Sequence, residues 1–393
     1  MNTDLATLSP STTSLGFDLT EDQELIRQSV RDFVEQRVAP TVMERDEACA
    51  FPHAIVEELA EMGMLGIYHD EKYGGGGADA VSFAVALEEI ARWDASLALT
   101  VASHTSLCSA HIAQAGTEAQ KMKYLSRLAS GDALGAWALT EPGSGSDASN
   151  MKTTAVREGD HWVLNGAKIF ITQGSVGSIY VVLAVTDREK GAKGVTAFIL
   201  EKDMEGFSHG PKLKKLGMNS SDTCEIYMED VKVPDENRLG DLGNGFIDTM
   251  KILDGGRVGI GAIAVGIMRG AFEESKKYAA ERAQFGKPIG QNQAIQWKLV
   301  DMGVDIEAAR LLVLRAAWLK DQGRSHTSEA SMAKLFASEK CTQACLDAIQ
   351  IHGGYGYTKE YHVERFLRDA KLLEIGEGTS EVQRMVLARR LMK

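Results

Sequence analysis

The sequence is poor in cysteine, and its few thiols show no paired spacing. No CxxC motif occurs among them, which argues against a disulfide framework and favours a reduced, cytoplasmic compartment. The five cysteines are Cys49, Cys108, Cys224, Cys341 and Cys345. The nine histidines likewise contain no HExxH or comparable spacing. We therefore predict a protein without a bound metal ion.

The sequence also lacks an excess of basic residues and any long apolar run. Lysine and arginine number 43 against 55 aspartates and glutamates, which gives a formal net charge of -12. A broad basic surface for nucleic acid is therefore not expected. No apolar run is long enough to span a bilayer, which argues against a membrane protein. Residues 1–16 contain neither lysine nor arginine, resemble no signal or transit peptide, and are predicted to be disordered.

What is present is an ordinary globular composition, with helical periodicity at the start. A chain of 393 residues, 44% of them hydrophobic, is long enough for two or three domains. Thr20 and Gln23 form a capping-box pattern, and apolar residues recur at helical spacing as far as Val38. Further helices are predicted over 53–64, 80–93 and 96–115, and from 117 to about 131.

The periodicity changes between Ala133 and Pro234, where short strand-like runs alternate with turns. The dipeptide Asn165-Gly166 is a strong signal for a hairpin turn. Because no long helix interrupts the runs, we predict a compact antiparallel β domain or barrel. The predicted strands are 152–157, 161–164, 167–172, 179–186, 195–201 and 224–231.

Helical periodicity returns after Gly243 and continues to the end of the chain. Short linkers between the helices favour antiparallel neighbours in a four-helix-bundle-like domain. The predicted helices are 244–282, 288–321, 326–351, 359–370 and 380–392. The predicted fold class is therefore α+β and multidomain. Its parts are a disordered segment (1–16), an α-helical domain (17–132), a middle β-barrel domain (133–242) and a C-terminal α-helical bundle (243–393).

The segment 137–147 (WALTEPGSGSD) begins as a strand and ends in a loop rich in glycine and serine. Such a loop can approach a phosphate or a flavin ring closely, although a plain β-turn has the same composition. Its GxG is not followed by the helix of a βαβ unit, so we reject a Rossmann nucleotide site.

Three further segments combine aromatic, basic or glycine residues at turns. Residues 169–174 (IFITQG) predict an aromatic ring and a hydroxyl on one face of a strand. Residues 281–288 (ERAQFGKP) interrupt two helices and offer an arginine to a pyrophosphate. Residues 350–356 (QIHGGYG) form an open glycine loop. Taken singly, the first segment is typical of a core strand and the second is more often a solvated helix end. The third is similarly ambiguous with a surface loop.

A carboxylate stands between two glycines near the C-terminus, in the stretch 373–384 (LEIGEGTSEVQR). The flanking residues Gly376 and Gly378 keep bulk away from Glu377 and permit unusual backbone angles. Thr379 or Ser380 can cap the helix that follows. On local sequence alone, a capped surface helix is the commoner explanation.

Together, and in this order, six segments resemble the acyl-CoA dehydrogenase family over nearly the whole chain, although each segment alone is a weak signal. They are TEPGSGSD, FITQG, LDGGRVGIGA, ERAQFGKPI, QIHGGYGYT and RDAKLLEIGEGTSEVQR. The resemblance is greatest to short-chain and short-branched-chain members. The order of α, β and α domains predicted above is also that family's architecture.

The resemblance implies FAD-dependent oxidation of an acyl-CoA thioester to the trans-2-enoyl-CoA. Glu377 matches the position of the catalytic base, which takes the α-proton while a hydride passes from the β-carbon to flavin N5. Because the α-proton of a thioester is weakly acidic, the base needs a dry site. Burial should raise its pKa toward neutrality.

The resemblance also assigns residues to the cofactor and to the substrate. The implied FAD-binding residues are Trp137, Leu139, Thr140, Phe170, Thr172, Arg282, Gln284, Phe285, Gln350, Gly354, Thr379 and Glu381. Those at 282–285, 350 and 354 are expected to reach the FAD of a neighbouring subunit, and Glu381 is expected to use its backbone N–H. The implied substrate-binding residues are Ser146, Asp254, Arg257, Gly376 and Gly378.

Two positions bear on the acyl group and on the base. The residue before the base is commonly Tyr in straight-chain members but is Gly376 here, which predicts a wider acyl pocket that admits branched chains. Other members carry the base on the helix around LDGGR, where this chain has Gly256. Glu377 therefore has no rival within the matched motifs.

The implied partners are an acyl-CoA substrate, an electron-transferring flavoprotein and further copies of the chain in a homotetramer (dimer of dimers). Two other functions fit the same fold. One is an oxygen-using acyl-CoA oxidase, which the length of 393 residues disfavours. The other is an inactive flavin-binding scaffold or nucleic-acid-binding relative, against which the net charge and the intact Glu377 both argue.

Overall fold

Helices occupy both ends of the structure and strands occupy its middle, as the sequence predicts. The structure is a computed structural model that describes residues 18–392, so the predicted disordered segment 1–16 lies outside the described residues. The helices are α1 (Glu21–Phe33), α2 (Val42–Ala48), α3 (His53–Glu61), α4 (Ala80–Ala91), α5 (Ala95–Ala102), α6 (Ala110–Ala115), α7 (Glu118–Gln120), α8 (Ser126–Ala129), α9 (Gly245–Glu281), α10 (Gln293–Asp321), α11 (Thr327–His352), α12 (Val363–Ile375) and α13 (Ser380–Leu391).

The strands all lie between α8 and α9, except for one short hairpin. They are β1 (Gly135–Ala138), β2 (Thr154–Glu158), β3 (His161–Thr172), β4 (Ile179–Val185), β5 (Val195–Glu201), β6 (Phe207–His209), β7 (Thr223–Pro234), β8 (Arg238–Leu239), β9 (Ala283–Gln284) and β10 (Lys287–Pro288). The domain limits 17–132, 133–242 and 243–393 stay predictions.

The predicted capping box begins the first helix. The Thr20 hydroxyl accepts from the Gln23 N–H, and the Gln23 side chain accepts from the Thr20 N–H. The helix predicted over 96–115 is continuous but not uniform, because a π-helical segment (Ser103–Ser109) joins α5 to α6. Such widened turns are frequent at functional sites, and every residue of this segment is buried.

The first eight strands form one sheet in the order β6-β7-β3-β2-β4-β5-β8, with β1 beside β4. Most neighbours are antiparallel, as predicted. Strand β4 is the exception, because it pairs in parallel with the whole of β1 and with one residue of β2. This parallel pairing brings the start of the segment 137–147 against the centre of the sheet.

The hairpin predicted at Asn165-Gly166 is wrong, because β3 runs straight through this dipeptide. The Asn165 side chain is held in the sheet by Asp230, donating to its carboxylate and accepting from its N–H, both at 2.9 Å. The strand register shifts between Leu164 and Gly166, so the glycine accommodates a bulge instead of a turn. The true hairpin is the two-residue turn Gly159-Asp160, which joins β2 to β3.

The sheet is buried on both faces, so alternate residues of β4 belong to different cores. Val181 and Leu183 pack toward α9 in one hydrophobic cluster, whereas Tyr180 and Val182 belong to a cluster on the opposite face. A third and larger cluster joins the N-terminal helices to the C-terminal bundle. The helical parts therefore pack directly on each other and on the sheet.

Two predicted C-terminal helices begin later than their periodicity indicates. The helix predicted from 288 begins at Gln293, because β9 and β10 form a hairpin just before it. The helix predicted over 359–370 is α12, which begins and ends later and stops one residue before Gly376. Within residues 18–392, no helix combines the length and apolar character needed to cross a membrane.

Candidate active site

The turn that carries Glu377 links α12 to α13 and has an unusual backbone. Glu377 (φ 54°) and Gly378 (φ 95°) both have positive φ values. A non-glycine residue in this region costs about 1–2 kcal/mol, so other contacts must hold it. Gln383 Nε2 donates to the carbonyl oxygens of both residues, at 3.3 and 2.8 Å. Lys334 Nζ donates to Gly378 O at 2.8 Å, which fixes the turn from the neighbouring helix α11.

The Glu377 carboxyl points inward from this turn. Glu377 as a residue is partly exposed, but its Oε2 atom has no solvent contact and no hydrogen-bond partner among the described residues. Burial raises the pKa of the carboxyl to about 7, against the opposing effects of Arg257 and Lys334. A carboxylate that titrates near neutrality is suited to act as a general base.

Helix α9 makes room for this carboxyl at one position. A Cβ atom on Gly256 would overlap Glu377 Oε2 and would lie 2.9 Å from Leu107 Cδ2 of the π-helical segment. Any side chain at this position would therefore displace the carboxyl. Other members of the family that the sequence resembles carry the base at the position of Gly256. Here the Glu377 carboxyl occupies the space that a side chain at residue 256 would need.

The two predicted substrate-binding residues of α9 lie on either side of this glycine and bind each other. Arg257 NH1 donates to Asp254 Oδ1 at 2.8 Å, and both side chains are largely buried. The Thr327 hydroxyl donates to the second Asp254 oxygen. Arg257 Nε is buried without a partner among the described residues, and the guanidinium charge acts on the Glu377 carboxyl.

A cavity of about 760 Å³ lies beside this part of α9. Asp254 and Gly255 line it from α9, Ser106 from the π-helical segment and Tyr68 from the N-terminal helical region. Its size is within the usual range of a small-molecule site. Neither Gly256 nor Glu377 lines the cavity, but Tyr68 does, and burial and the Glu377 carboxylate together raise the pKa of its phenol. The candidate base therefore lies near the cavity.

The predicted cofactor residues Leu139 and Thr140 lie against strand β3. The Ile169 N–H donates to Thr140 O at 2.9 Å. Lys168 Nζ donates to Leu139 O at 3.1 Å and to Glu141 Oε1 at 2.9 Å. The structure therefore brings the segment 137–147 and the segment 169–174 together, as two parts of one site require.

Sequence reasoning missed the buried pair that organises this loop. Lys168 is fully buried and Glu141 is nearly so, and the carboxylate also accepts from the N–H groups of Lys152 and Thr153. The sequence did show a lysine within an apolar strand, Lys168, and a glutamate within a turn motif, Glu141. Neither indicated its partner, since 27 residues separate them.

Phe170 occupies a bulge, which breaks the regular alternation on which its prediction depended. Its φ is 59°, and the pairing of β3 with β7 shifts between Lys168 and Ile171. The ring is 65% exposed, so a large apolar surface faces outward. Trp137, by contrast, is buried and donates its indole N–H to His111 Nδ1 at 3.1 Å. Because the indole N–H is already used, Trp137 can contact a cofactor only through the surface of its ring.

A second group of predicted residues lies on an exposed side of the C-terminal bundle. Arg282, Gln284 and Phe285 belong to the β9–β10 hairpin, and Phe285 is fully exposed. The Arg282 guanidinium lies 5.5 Å from the ring centroid of Tyr355, in the loop that contains Gly354. Gln350 is exposed in the last turn of α11. No contact between described residues joins this group to Glu377 in one chain.

The start of α13 combines a used hydroxyl with an unused polar atom. The Thr379 hydroxyl caps the helix by accepting from Val382 N–H at 3.3 Å, and Glu381 is exposed. Gln383 Oε1 is buried without a partner among the described residues, whereas the Ser380 hydroxyl lies close enough to the Glu339 carboxylate to help lower its pKa. Buried polar atoms without partners are uncommon, so Gln383 Oε1 marks a place that a polar ligand would complete. The sequence indicated the cap but not this atom.

The glycine loops predicted to approach the cofactor are open. A Cβ atom on Gly143, Gly145 or Gly354 would meet no atom within 4 Å. Ser146 is exposed in the same loop as the first two. Open backbone, an outward aromatic ring and unpaired polar atoms are features that a planar, phosphate-bearing ligand fits.

Three family models match the chain in the same order as its helical and sheet regions. They describe the acyl-CoA dehydrogenase N-terminal domain over residues 20–132, the middle domain over 136–231 and the C-terminal domain over 243–392. Together they span most of the chain.

Individual relatives match over almost their whole length. A protein of Clostridium acetobutylicum described as "Acyl-CoA dehydrogenase, short-chain specific" is 48% identical over 379 residues, 96% of this chain and 100% of its own length. The caffeyl-CoA reductase-Etf complex subunit CarC of Acetobacterium woodii is 45% identical, over 95% of this chain and 99% of its own. The solved structure of butyryl-CoA dehydrogenase from Megasphaera elsdenii has a TM-score of 0.95 at 46% identity, and it covers 96% of this chain and 100% of that one.

Proposed function

This chain belongs to the acyl-CoA dehydrogenase family, and from that membership we propose that it oxidises a short or short-branched acyl-CoA to the trans-2-enoyl-CoA. The observation that carries the proposal is the Glu377 carboxyl. It is buried, has an unpaired oxygen and a pKa of about 7, and lies against the glycine of α9 beside a cavity.

In the proposed reaction, Glu377 Oε2 takes the α-proton of the thioester. Bound FAD would supply the acceptor for the hydride that leaves the β-carbon. The Glu377 N–H forms no hydrogen bond among the described residues, so it is free to donate to the thioester carbonyl oxygen as negative charge develops there. Such a donor in a dry site stabilises the enolate-like state. Arg257 and Lys334 limit the rise in the pKa of the base, so part of the carboxyl is ionised at pH 7.

We assign the cofactor to two sets of residues in different subunits. Within one chain, the flavin ring would contact the loop and strand that Lys168 holds together, and the phosphates or adenosine part of FAD would contact the start of α13. These residues are Trp137, Leu139, Thr140, Phe170, Thr172, Thr379 and Glu381. The exposed residues Arg282, Gln284, Phe285, Gln350 and Gly354 would reach the FAD of a neighbouring chain. A fully exposed Phe285 favours this arrangement, because a partner would bury it.

The substrate would lie between Glu377 and the cavity beside α9. Asp254 and Arg257 would bind its CoA portion, and Ser146 would contact the pantetheine arm. Gly376 and Gly378 flank the base. The space for the acyl group is at Gly376, where an added Cβ would meet only Leu372 O at 3.5 Å, whereas Gly378 lies against Gln383 and Val382 and would contribute its backbone. A branched chain is therefore admitted beside the α- and β-carbons.

We propose a homotetramer and an electron-transferring flavoprotein as partners. A second copy of the chain is supported by the second set of cofactor residues, because these are exposed and no hydrogen bond or ion pair between described residues joins them to Glu377. The number of four copies comes from the resemblance to the family. The redox partner is supported by a 45% identical relative that is named as a subunit of an Etf complex. A cytoplasmic location stays a prediction from the cysteine pattern.

Purified protein mixed with a panel of straight and branched acyl-CoAs tests the proposal, with loss of the flavin absorption as the measurement. We expect yellow protein, bleaching by short chains and formation of a 2-enoyl-CoA product. Yellow protein that no acyl-CoA bleaches would support the inactive scaffold instead.

The oxidase alternative requires a separate measurement. The substrate-reduced enzyme is mixed with air in a stopped-flow instrument, and the return of the flavin absorption is timed. A dehydrogenase should reoxidise far more slowly than it turns over with its protein acceptor. Reoxidation within the turnover time would overturn the dehydrogenase proposal in favour of an oxidase.

A further inference from the structure

Two adjacent glycines of α9 face two different charged groups. A Cβ atom on Gly256 would overlap the Glu377 carboxyl, and a Cβ atom on Gly255 would lie 3.4 Å from Lys320 Nζ. Helix α9 thus presents bare backbone to an acid and to an amine, side by side. The proposed reaction uses the acid and leaves the amine without a role.

The Lys320 ammonium has no charged partner within residues 18–392. Its Nζ lies 4.1 Å from the ring centroid of Tyr68, and it forms no hydrogen bond or ion pair with any residue in the described part of the chain. The neighbouring carboxylate of Asp321 is engaged elsewhere, since it accepts from the N–H groups of Ala80 and Val81 at 2.7 and 3.2 Å. Burial lowers the pKa of the amine to about 8, so most of it is charged at pH 7.

The open side of this ammonium is the cavity beside α9. Lys320 and Tyr68 line the cavity, together with the basic residues Lys121, Lys251 and Arg324. The acidic residues of its lining are Asp70 and Asp254. Asp254 already binds Arg257, so positive charge predominates. An uncompensated buried charge is costly, and a ligand with an anionic oxygen would remove that cost.

We propose that Lys320 is a ligand-binding residue of this cavity, where its ammonium donates to an anionic oxygen of the substrate. This inference rests on the proposed function, because it takes the substrate to be an acyl-CoA. The anionic oxygen can belong to a carboxylate at the far end of the acyl chain or to a phosphate of the CoA portion. Tyr68 supports the ammonium from behind by a cation–π contact.

The test is a binding measurement with Lys320→Met, which keeps an unbranched side chain one atom shorter and removes the ammonium group. The Lys320→Met protein and the reference protein with Lys320 both also carry Glu377→Gln, so that no ligand is turned over. Dissociation constants are measured by calorimetry on the FAD-loaded protein for butyryl-CoA, glutaryl-CoA and butyryl-pantetheine. Lys251→Met is the matched control, because Lys251 lines the same cavity but is exposed and has a partner in Asp248.

The three ligands distinguish the two sources of the anionic oxygen. We expect Lys320→Met to weaken binding about tenfold, the order of one charge-assisted hydrogen bond. A tenfold loss for both CoA esters but not for butyryl-pantetheine assigns the oxygen to a phosphate. A loss confined to glutaryl-CoA assigns it to an acyl carboxylate. Changes below twofold for all three ligands, or equal losses in Lys251→Met, would overturn the proposal.

Stability without ligand provides a second measurement. A ligand-binding lysine whose buried charge has no charged partner should leave the ligand-free protein at least as stable when replaced by methionine. A lower melting temperature with unchanged binding would show a structural role and would overturn the proposal. Lys320→Gln is the substitute if the methionine variant does not fold. Failure of the proposed function is seen separately, as wild-type protein that no acyl-CoA bleaches.

Discussion

Gly256 provides the space that the Glu377 carboxyl occupies. The two residues lie 121 positions apart in the numbering, yet a Cβ atom on Gly256 would overlap Glu377 Oε2. The glycine belongs to α9 and the acid to the turn between α12 and α13. The carboxyl is therefore positioned by an absent side chain on one element and by a strained turn on another. Both features are needed to keep a carboxylate dry and still aimed at a ligand.

Gly256→Ala should displace the carboxyl without unfolding the protein. We expect the rate of flavin reduction by substrate to fall about 100-fold, the order expected when a catalytic group moves by about 1 Å. Gly303→Ala is the control, because that helical glycine has no atom within 4 Å of an added Cβ. Equal rates in wild type and Gly256→Ala would contradict the geometry described above.

Glu377→Gln should retain FAD and lose at least about 1000-fold in the rate of substrate-dependent flavin reduction, because a general base contributes 10²–10⁴-fold. Flavin content and the circular dichroism spectrum should match those of wild type. Glu374→Gln is the matched control, since Glu374 binds Lys371 and Thr342 on the other side of the turn. Near-normal activity in Glu377→Gln would refute its assignment as the base.

The reduction rate should rise with pH through the pKa of Glu377. Burial raises this pKa to about 7, so about one tenth of the carboxyls are ionised at pH 6 and nearly all above pH 8. Lys334→Met should move the midpoint to higher pH, because the ammonium lowers the pKa of Glu377. Stopped-flow rates between pH 5.5 and 9, roughly spanning this pKa, measure both midpoints. A flat profile would exclude Glu377 as the titrating base.

The same shift predicts how stability depends on pH. The folded pKa of Glu377 lies above the ordinary glutamate value of 4.5, so the folded state binds the proton more tightly than the unfolded state. The stability from this group is complete below the unfolded pKa and is lost as pH rises through about 7. The free energy of unfolding is measured by urea denaturation from pH 5 to pH 8, roughly this window. It should fall less over this range in Glu377→Gln than in wild type.

Gly376→Tyr should narrow the acyl pocket. The φ of Gly376 is -66°, and an added Cβ would meet only Leu372 O, at 3.5 Å, so the backbone accepts a side chain. We expect a larger loss of kcat/KM on a branched acyl-CoA than on butyryl-CoA. Gly376→Ala is the control for backbone effects alone. Equal losses on both substrates would count against the pocket argument.

Lys168→Met should loosen the loop that carries Leu139 and Thr140. It leaves the Glu141 carboxylate buried beside an apolar side chain, and breaking a buried pair in this way costs about 3–5 kcal/mol. We expect lower stability to urea and a lower FAD content after purification. The double variant Lys168→Met/Glu141→Gln should recover part of the stability, whereas the exposed Lys152→Met should resemble wild type. Normal FAD content in Lys168→Met would show that the pair does not organise a cofactor site.

Local patterns predicted the family and the order of helical and sheet regions correctly, and the comparisons confirm both. The capping box at Thr20 and the cap at Thr379 were also correct, because each depends on residues within one turn of helix. The hairpin predicted at Asn165-Gly166 was wrong because the conformation of this dipeptide depends on a residue far away in the sequence. Asp230, which is 65 residues away, binds the asparagine and keeps it in the strand.

The amino-acid sequence by itself determined which residue is the candidate base and which segments accompany it, because six segments in this order resemble one family, although the stretch around Glu377 taken alone does not indicate a base. Only the tertiary structure decided that Gly256 leaves space for the base and that Lys168 and Glu141 hold the loop. It also decided that Lys320, which has no charged partner among the described residues, faces a cavity. Each of these facts joins residues from different elements. Burial and charge pairing depend on such contacts, so the pKa of Glu377 is a property of the fold and cannot be read from the stretch that carries it.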